Sequence, residues 1–316
     1  MHTEVVSPHP NSKVAILLCT YNGETYLSKL LDSLASQTSP HWVIHASDDK
    51  SQDKTLDILS QYQQQIGLQR FVIYTGPTQG YVANFLSLTC NPQIQADYYA
   101  YCDQDDIWEP EKLQRALELL NKVPQHIPAL YCSRTRLVDA DANYIGDSPL
   151  FRKKPAFANA LVQNIGGGNT MVVNNAARAL LYKASQKIHV ISHDWWFYLV
   201  ISGCGGTVFY DPHPSLQYRQ HGNNLVGANN SWRARFVRIR MMFKGNFKHW
   251  NTLNTQALLA IAHQLTPQNQ IILQRFAVSR EKGFFRRIFG ILHSGIYRQT
   301  RLGNLGLVAA TLFNKI

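Results

Sequence analysis

Acidic residues all but vanish from the last third of this 316-residue chain. After Asp211 a single acid, Glu281, stands against fifteen Lys and Arg, giving that stretch +14; the preceding residues, with 16 basic and 19 acidic, carry −3 of the overall +11. A near-neutral body joined to a strongly basic region suits contact with nucleic acid, anionic lipid or a phosphorylated substrate. Cysteine is sparse: Cys19, Cys90, Cys102, Cys132 and Cys204 are scattered, odd in number and without CxxC spacing. That argues against a zinc site or a disulfide framework and for reduced thiols in a cytoplasmic protein. No stretch approaches the ~20 apolar residues that span a bilayer. The opening MHTEVVSPHPNSK lacks the charged start and apolar run of a signal peptide. GxGxxG and GxxxxGK[ST] are also missing, which argues against a dinucleotide Rossmann site and a P-loop. There is no internal repeat and no low-complexity tract. With 45% apolar residues the chain can build one large domain, or one domain with an appendage.

What is present reads as alternating strands and helices. Val14 to Cys19 is a continuous apolar run of strand length, and Thr20, Tyr21, Asn22 and Gly23 turn the chain. Tyr26, Leu27, Leu30, Leu31 and Leu34 then recur at helical spacing. Trp42 to Ala46 forms a second strand ending in Ser47, Asp48 and Asp49, followed by a helix through Leu56, Leu59 and Tyr62. Phe71 to Tyr74 is a third strand, and a short helix carries Val82, Phe85 and Leu86. This alternation predicts an α/β fold with a mostly parallel sheet flanked by helices. Ligands of such sheets bind beyond the carboxyl ends of the strands.

Tyr98 to Trp108, YYAYCDQDDIW, is the stretch around which the rest is arranged. A buried strand runs straight into Asp103, Gln104, Asp105 and Asp106. Three carboxylates so close repel one another unless a cation or hydrogen-bond donors compensate them. Hard oxygen ligands at a strand end suit Mg2+ or Mn2+ holding a diphosphate. A solvated acidic turn leading into a helix near Pro110 and Glu111 fits the same residues. Three successive strand ends therefore carry Thr20/Tyr21, Asp48/Asp49 and Asp103/Asp105/Asp106, and that shared placement favours a ligand site.

Farther along, Ala129 to Asn143 holds another strand and turn, and NIGGGN at Asn164 to Asn169 is a loop that either admits a ligand's close approach or simply moves. Thr170 to Val173 is a strand and Ala176 to Ala184 a helix. Ser192, His193, Asp194, Trp195 and Trp196 open an aromatic helix, with Asp194 as a candidate cap. Thr207 to Tyr210 and Leu216 to Tyr218 read as two closing strands before Arg219, Gln220 and His221. Beyond Trp232, Arg233, Arg235, Arg238, Arg240 and Lys244 interleave with aromatic and aliphatic residues, and further helices run through Leu253 to Leu265 and Ile271 to Val278.

Over roughly residues 13 to 225 these motifs resemble the family 2 glycosyltransferases of GT-A fold: CTYNGETYL at Cys19, SDDKSQDKT at Ser47, GYVANF at Gly80 and DQDDIWEPEKL at Asp103. HDWW at His193 and YRQHGNN at Tyr218 are similar to the bacterial rhamnosyltransferase branch. The resemblance divides the chain into a catalytic domain, 1–225, and a basic, mainly helical region, 226–316. It implies that Tyr21 and Asp49 hold the donor nucleobase, with Cys19, Thr20 and Asp48 flanking that pocket. Asp103 lies toward the ribose, Asp105 binds the metal, and Asp106 supports it. Asp194 becomes the general base, and His221 returns to the metal or diphosphate, unless a polar loop alone explains it. Two residues depart from the family pattern: Lys50 stands where a small residue or Gly is usual, and Gln104 where the side chain is commonly smaller.

The implied reaction is inverting, metal-dependent transfer of a sugar, L-rhamnose from dTDP-rhamnose or a hexose from a UDP-sugar, to a hydroxyl of a cell-surface glycan precursor. Such glycans are assembled on lipid carriers, so the basic region suits peripheral docking at the anionic inner face of the cell membrane; a solvated helical appendage or an oligomer contact would leave the same composition. A nucleic-acid-binding protein would leave the acidic strand ends unexplained and lacks a matching motif. A non-catalytic nucleotide-sugar sensor would not need both Asp105 and Asp194.

Overall fold

A computed structural model describes residues 12–186, 188–220 and 245–316. Its centre is β1 (Val14–Thr20), whose seven residues are all buried because the strand is covered on both faces. Side-chain alternation sends Val14, Ile16 and Leu18 into one core and Ala15, Leu17 and Cys19 into another. The first core is closed by α1 (Leu27–Ala35), which offers Leu27, Leu30, Leu31 and Leu34 on one face, with α2 (Thr55–Ile66) beside it. The second lies under α3 (Tyr81–Thr89).

Among the described residues nine strands make one sheet. β2 (Trp42–Asp48) and β4 (Tyr98–Asp103) flank β1 in parallel, and β3 (Phe71–Thr75) lies parallel outside β2. The parallel half expected from the βα alternation is thus present. After it the pairing is mixed. The two-residue β5 (Ile107–Trp108) precedes α4 (Lys112–Leu120), and β6 (Ala129–Val138) pairs with β7 (Tyr144–Asp147). Next come a short helix, α5 (Phe157–Ala160), and β8 (Val172–Asn174), which runs antiparallel to both β4 and β6. α6 (Asn175–Ala184) starts at Asn174, whose side chain caps it by accepting from the Ala177 N–H at 2.9 Å. After α7 (His193–Gly203), β9 (Thr207–Arg219) runs parallel to β6 and antiparallel to β5. β9 is one thirteen-residue strand where two were expected. Pro212 and Pro214 sit at its register shifts, so the chain bends there and continues.

Among the described residues four helices follow: α8 (Asn246–Ala260), α9 (Pro267–Glu281), α10 (Phe284–His293) and α11 (Arg301–Leu312). The Thr266 side chain caps α9 with Pro267 at its first position. These helices join the second core: Leu258, Leu273, Phe276, Ile291 and Leu307 are buried in the same cluster as Phe157 and Trp195. The Asn269 amide donates to the carbonyls of Ser202 and Gly203 at 3.1 and 2.9 Å, fixing the end of α7. Among the described residues no helix is long and apolar enough to cross a membrane. All five cysteines are free thiols. The Arg233–Lys244 run and His221 lie outside the described residues.

Candidate active site

Strand register creates the site. Thr20 pairs with Asp48, and Cys19 with Asp103, so the carboxyl ends of β1, β2 and β4 come level on one edge. The Thr20 hydroxyl donates to Asp48 Oδ1 at 2.9 Å, and the same carboxylate accepts from the Ser51 hydroxyl at 2.6 Å and the Ser51 N–H at 2.9 Å. Asp48 is buried and holds the turn together. Asp49, also buried, accepts the N–H groups of Thr78 (2.5 Å) and Gly80 (3.0 Å), which draws the loop before α3 onto the edge. Lys50 is exposed and has φ +68°, a backbone conformation that glycine adopts without strain. The usual preference for a small residue there is thereby explained by the backbone.

Tyr21 is 57% exposed at the rim, and its backbone is clamped by Gln104, which accepts its N–H at 2.8 Å and donates to its carbonyl at 2.9 Å. The second departure from the family pattern is thereby accounted for, because the longer Gln104 side chain locks the β1 turn to the acidic loop. Cys19 is buried, and burial first, then the Asp103 carboxylate, pushes its thiol well up. It is an inert wall of the site.

Asp103 and Asp105 are half-buried, whereas Asp106 is fully buried. Burial, then the charges of Asp105 and Asp194, push Asp103 up to about 7, with Lys112 opposing. Asp106 Oδ2 accepts from the Asn169 amide at 2.6 Å, while Oδ1 has no partner; burial and the neighbouring carboxylates raise this group strongly. Asp105 stays at the rim, and Asp106 sits behind it, bonded to the glycine turn. That turn is fixed, with Gly168–Thr170 a buried 3₁₀ turn rather than a loose loop.

Three further residues carry the site and are not evident from the motifs. Lys112 is completely buried, donates to the Asn169 carbonyl at 2.5 Å and lies 4.2 Å from the Trp108 ring centroid. Burial lowers it to about 8, with Cys102, Asp106 and Asp103 opposing. Arg219, buried at the end of β9, donates to the Asp105 carbonyl at 3.1 Å and the Ala140 carbonyl at 2.7 Å. Tyr81 opens α3 beside the edge; burial first, then Asp194 and Asp103, push its phenol up to about 12.

α7 delivers Asp194. Its Oδ1 accepts the Trp195 N–H at 2.7 Å, and the Trp195 indole in turn donates to the Ala160 carbonyl at 2.6 Å. Beside it His193 is buried, stacks on Phe85 with ring centroids 4.1 Å apart, and has no hydrogen-bond partner at either nitrogen. Cys19, Thr20, Tyr21, Asp48, Asp49, Asp103, Asp105, Asp106 and Asp194 therefore gather at one edge: the Cys19 thiol feels both Asp103 and Asp49, and Asp103 feels both Asp105 and Asp194.

The donor set suits a hard divalent cation. Asp103 and Asp105 supply two neighbouring carboxylates, the first of which is raised by burial and by the charge of the second, and among the described residues no third His, Cys, Asp or Glu completes a ready-made cage. Such a pair fits an ion that a ligand's phosphates and water finish coordinating.

The profile of Glycosyl transferase family 2 matches residues 15–188, more than half of the chain, including all three strand ends. The chain belongs to this family. It is 27% identical over 238 residues to the dTDP-rhamnosyl transferase RfbG of Shigella flexneri, covering 71% of this chain and 78% of that protein. Among solved structures, S. aureus TarS 1–349 in complex with UDP-GlcNAc aligns with a TM-score of 0.58 and 16% identity, covering 96% of this chain and 89% of that one. The mannosyltransferase PcManGT from Pyrobaculum calidifontis, solved with GDP-Man and Mn2+, gives 0.52 and 15%, covering 98% and 88%. These likenesses establish the fold as GT-A, a curled sheet flanked by helices. A family 2 member of this fold is a glycosyltransferase.

Proposed function

We propose that this glycosyltransferase moves L-rhamnose from dTDP-rhamnose, with inversion, to a hydroxyl of a bacterial cell-surface glycan precursor such as O-antigen or capsule. The carrying observation is the convergence of Asp103, Asp105 and Asp194 at one sheet edge, where Asp103 feels the charges of both Asp105 and Asp194. The Shigella relative's name favours the rhamnosyl donor; a UDP-hexose is the competing donor.

In this reading Tyr21 stacks on the nucleobase at the exposed rim, and Asp49 shapes the base pocket through the Thr78–Gly80 backbone. Asp103 lies toward the ribose. Asp105, with its backbone held by Arg219, is the principal ligand for Mg2+ or Mn2+, and Asp106 supports it from behind. A bound divalent cation would neutralise charge on the departing diphosphate. Asp194 takes the acceptor hydroxyl's proton as the sugar's anomeric carbon acquires oxocarbenium character, and attack from that face inverts the centre. Catalysis belongs to residues 1–225. The basic region, 226–316, keeps the enzyme peripheral to the cytoplasmic face of the membrane, where a lipid-linked acceptor is met.

Calorimetry with dTDP-rhamnose, UDP-glucose, UDP-GlcNAc and GDP-mannose, each with Mn2+ and with chelator, tests the assignment. Tightest binding of dTDP-rhamnose in Mn2+ is expected. Tighter binding of a UDP-sugar would replace the donor, and no binding by any member would remove the enzymatic reading.

A further inference from the structure

The C-terminal helices carry two features that chemistry at the sheet edge does not use. One is apolar. Phe285, Phe289 and Leu292 recur at i, i+4 and i+7 along α10, and Leu302, Leu305 and Leu312 form a stripe along α11. Phe285 is 77% exposed, Phe289 68% and Leu305 66%. An exposed stripe this dense on adjoining helices marks an interaction surface.

The other is cationic. Lys248, Arg280, Lys282 and Arg287 line one hollow with Thr252 and Asn314. Arg287 is buried and donates to the carbonyls of Thr311 and Lys282 at 2.9 and 3.3 Å. Arg280 donates to Thr252 Oγ1 at 2.7 Å and the Lys248 carbonyl at 3.0 Å, while its Nε has no partner. Neutral oxygens hold these cations. Glu281 lies at the hollow, yet among the described residues none of the four forms an ion pair. Clustered like charges of this kind call for an anion.

The two features meet. The Arg287 guanidinium lies 6.0 Å from the Phe284 ring, which is 48% exposed, and the Thr311 carbonyl it bonds is one residue before Leu312 at the end of the α11 stripe. A ligand matching both has a phosphate joined to hydrocarbon. We propose that α10 and α11 dock on a bilayer containing anionic phospholipid. Phe285, Phe289 and Leu302 enter the boundary between headgroups and acyl chains, and the Lys248/Arg280/Lys282 hollow receives a lipid phosphate. A second copy of the chain fits less well, because an isologous contact would bring two such cationic hollows together. The proposal rests on the reading of the enzyme as a peripheral membrane transferase and names the surface.

Flotation of the full chain tests it, using phosphatidylcholine vesicles with and without about 30 mol % phosphatidylglycerol. Binding only to the anionic vesicles is expected. Lys248→Glu/Lys282→Glu and, separately, Phe285→Ser/Phe289→Ser should each weaken it at least about tenfold, with folding checked by circular dichroism. Unchanged flotation of either folded variant overturns the surface. Calorimetric binding of glycerol phosphate without vesicle binding assigns the hollow to a free phosphate and overturns the lipid. A dimer in sedimentation that the Phe variant abolishes, with no vesicle binding, assigns the face to a second copy instead. Donor calorimetry on the wild-type chain is read separately, so loss of the enzymatic reading and loss of the docking surface are distinct results.

Discussion

At Asp194 one carboxylate oxygen is spent on the Trp195 N–H, and the other receives no hydrogen bond from the described residues. Ser192, not Asp194, is the N-cap of α7, so Asp194 lies within the first turn, where one oxygen holds the Trp195 N–H and the other is left for the general-base role proposed above. Asp194→Asn keeps an oxygen for the Trp195 N–H and removes only the basicity. Its turnover is expected to fall about 10²–10⁴-fold, with donor affinity changed less than about twofold. Steady-state rates paired with donor calorimetry check this; near-normal turnover would reject the base. Asp105→Asn should do the reverse. Arg219 holds the residue by its backbone carbonyl, so the loop survives the change while a charge is lost. Donor affinity in Mn2+ is expected to drop about tenfold or more, a loss of about 1.4 kcal/mol, and titration in chelator should no longer distinguish variant from wild type.

Elements were legible in the sequence where one local pattern decided them. The apolar runs of β1, β2 and β4, and the acids that end them, carry both the fold and most of the site. What escaped depends on contacts between distant parts of the chain: Arg219 reaches Asp105 across 114 positions, Gln104 reaches Tyr21 across 83, and Lys112 reaches Asn169 across 57. No local pattern announces such pairs. α11 escaped for another reason, since Gly303 and Gly306 lower its helix propensity and a Thr300 cap with tertiary packing restores it. The glycine turn shows how tightly distant elements are fitted. A Cβ on Gly168 would run into the His193 imidazole and come within 3.4 Å of the Asp194 Cβ. Gly168→Ala should displace the start of α7, costing about 1–3 kcal/mol in denaturant unfolding and lowering turnover more than donor affinity. An alanine variant with wild-type stability and rate would show that the turn yields.

Across the whole molecule, buried titratable groups pull in opposite directions. His45 and His193 are buried and each lowered to about 4, first by burial, so the folded chain refuses protons that the unfolded chain takes near 6.5. Their contribution is complete above about 6.5 and is lost as pH falls toward 4. Asp103 and Asp106 are raised, so in the metal-free protein they do the opposite: the folded chain holds protons that the unfolded chain has released, and their penalty fades as pH falls. The two sets therefore act in opposite directions as the solution is acidified. A double comparison isolates one member. His45 stands away from the carboxylate edge, with Nδ1 3.0 Å from the Tyr74 hydroxyl and Nε2 unpartnered. His45→Gln removes its titration and leaves the other groups in place. Whatever the substitution costs at pH 7.5, the gap between wild type and variant should shift toward the variant by about 2 kcal/mol at pH 5. Urea unfolding of both proteins at the two pH values measures that shift. A constant gap would mean that His45 takes up its proton equally well in the folded chain.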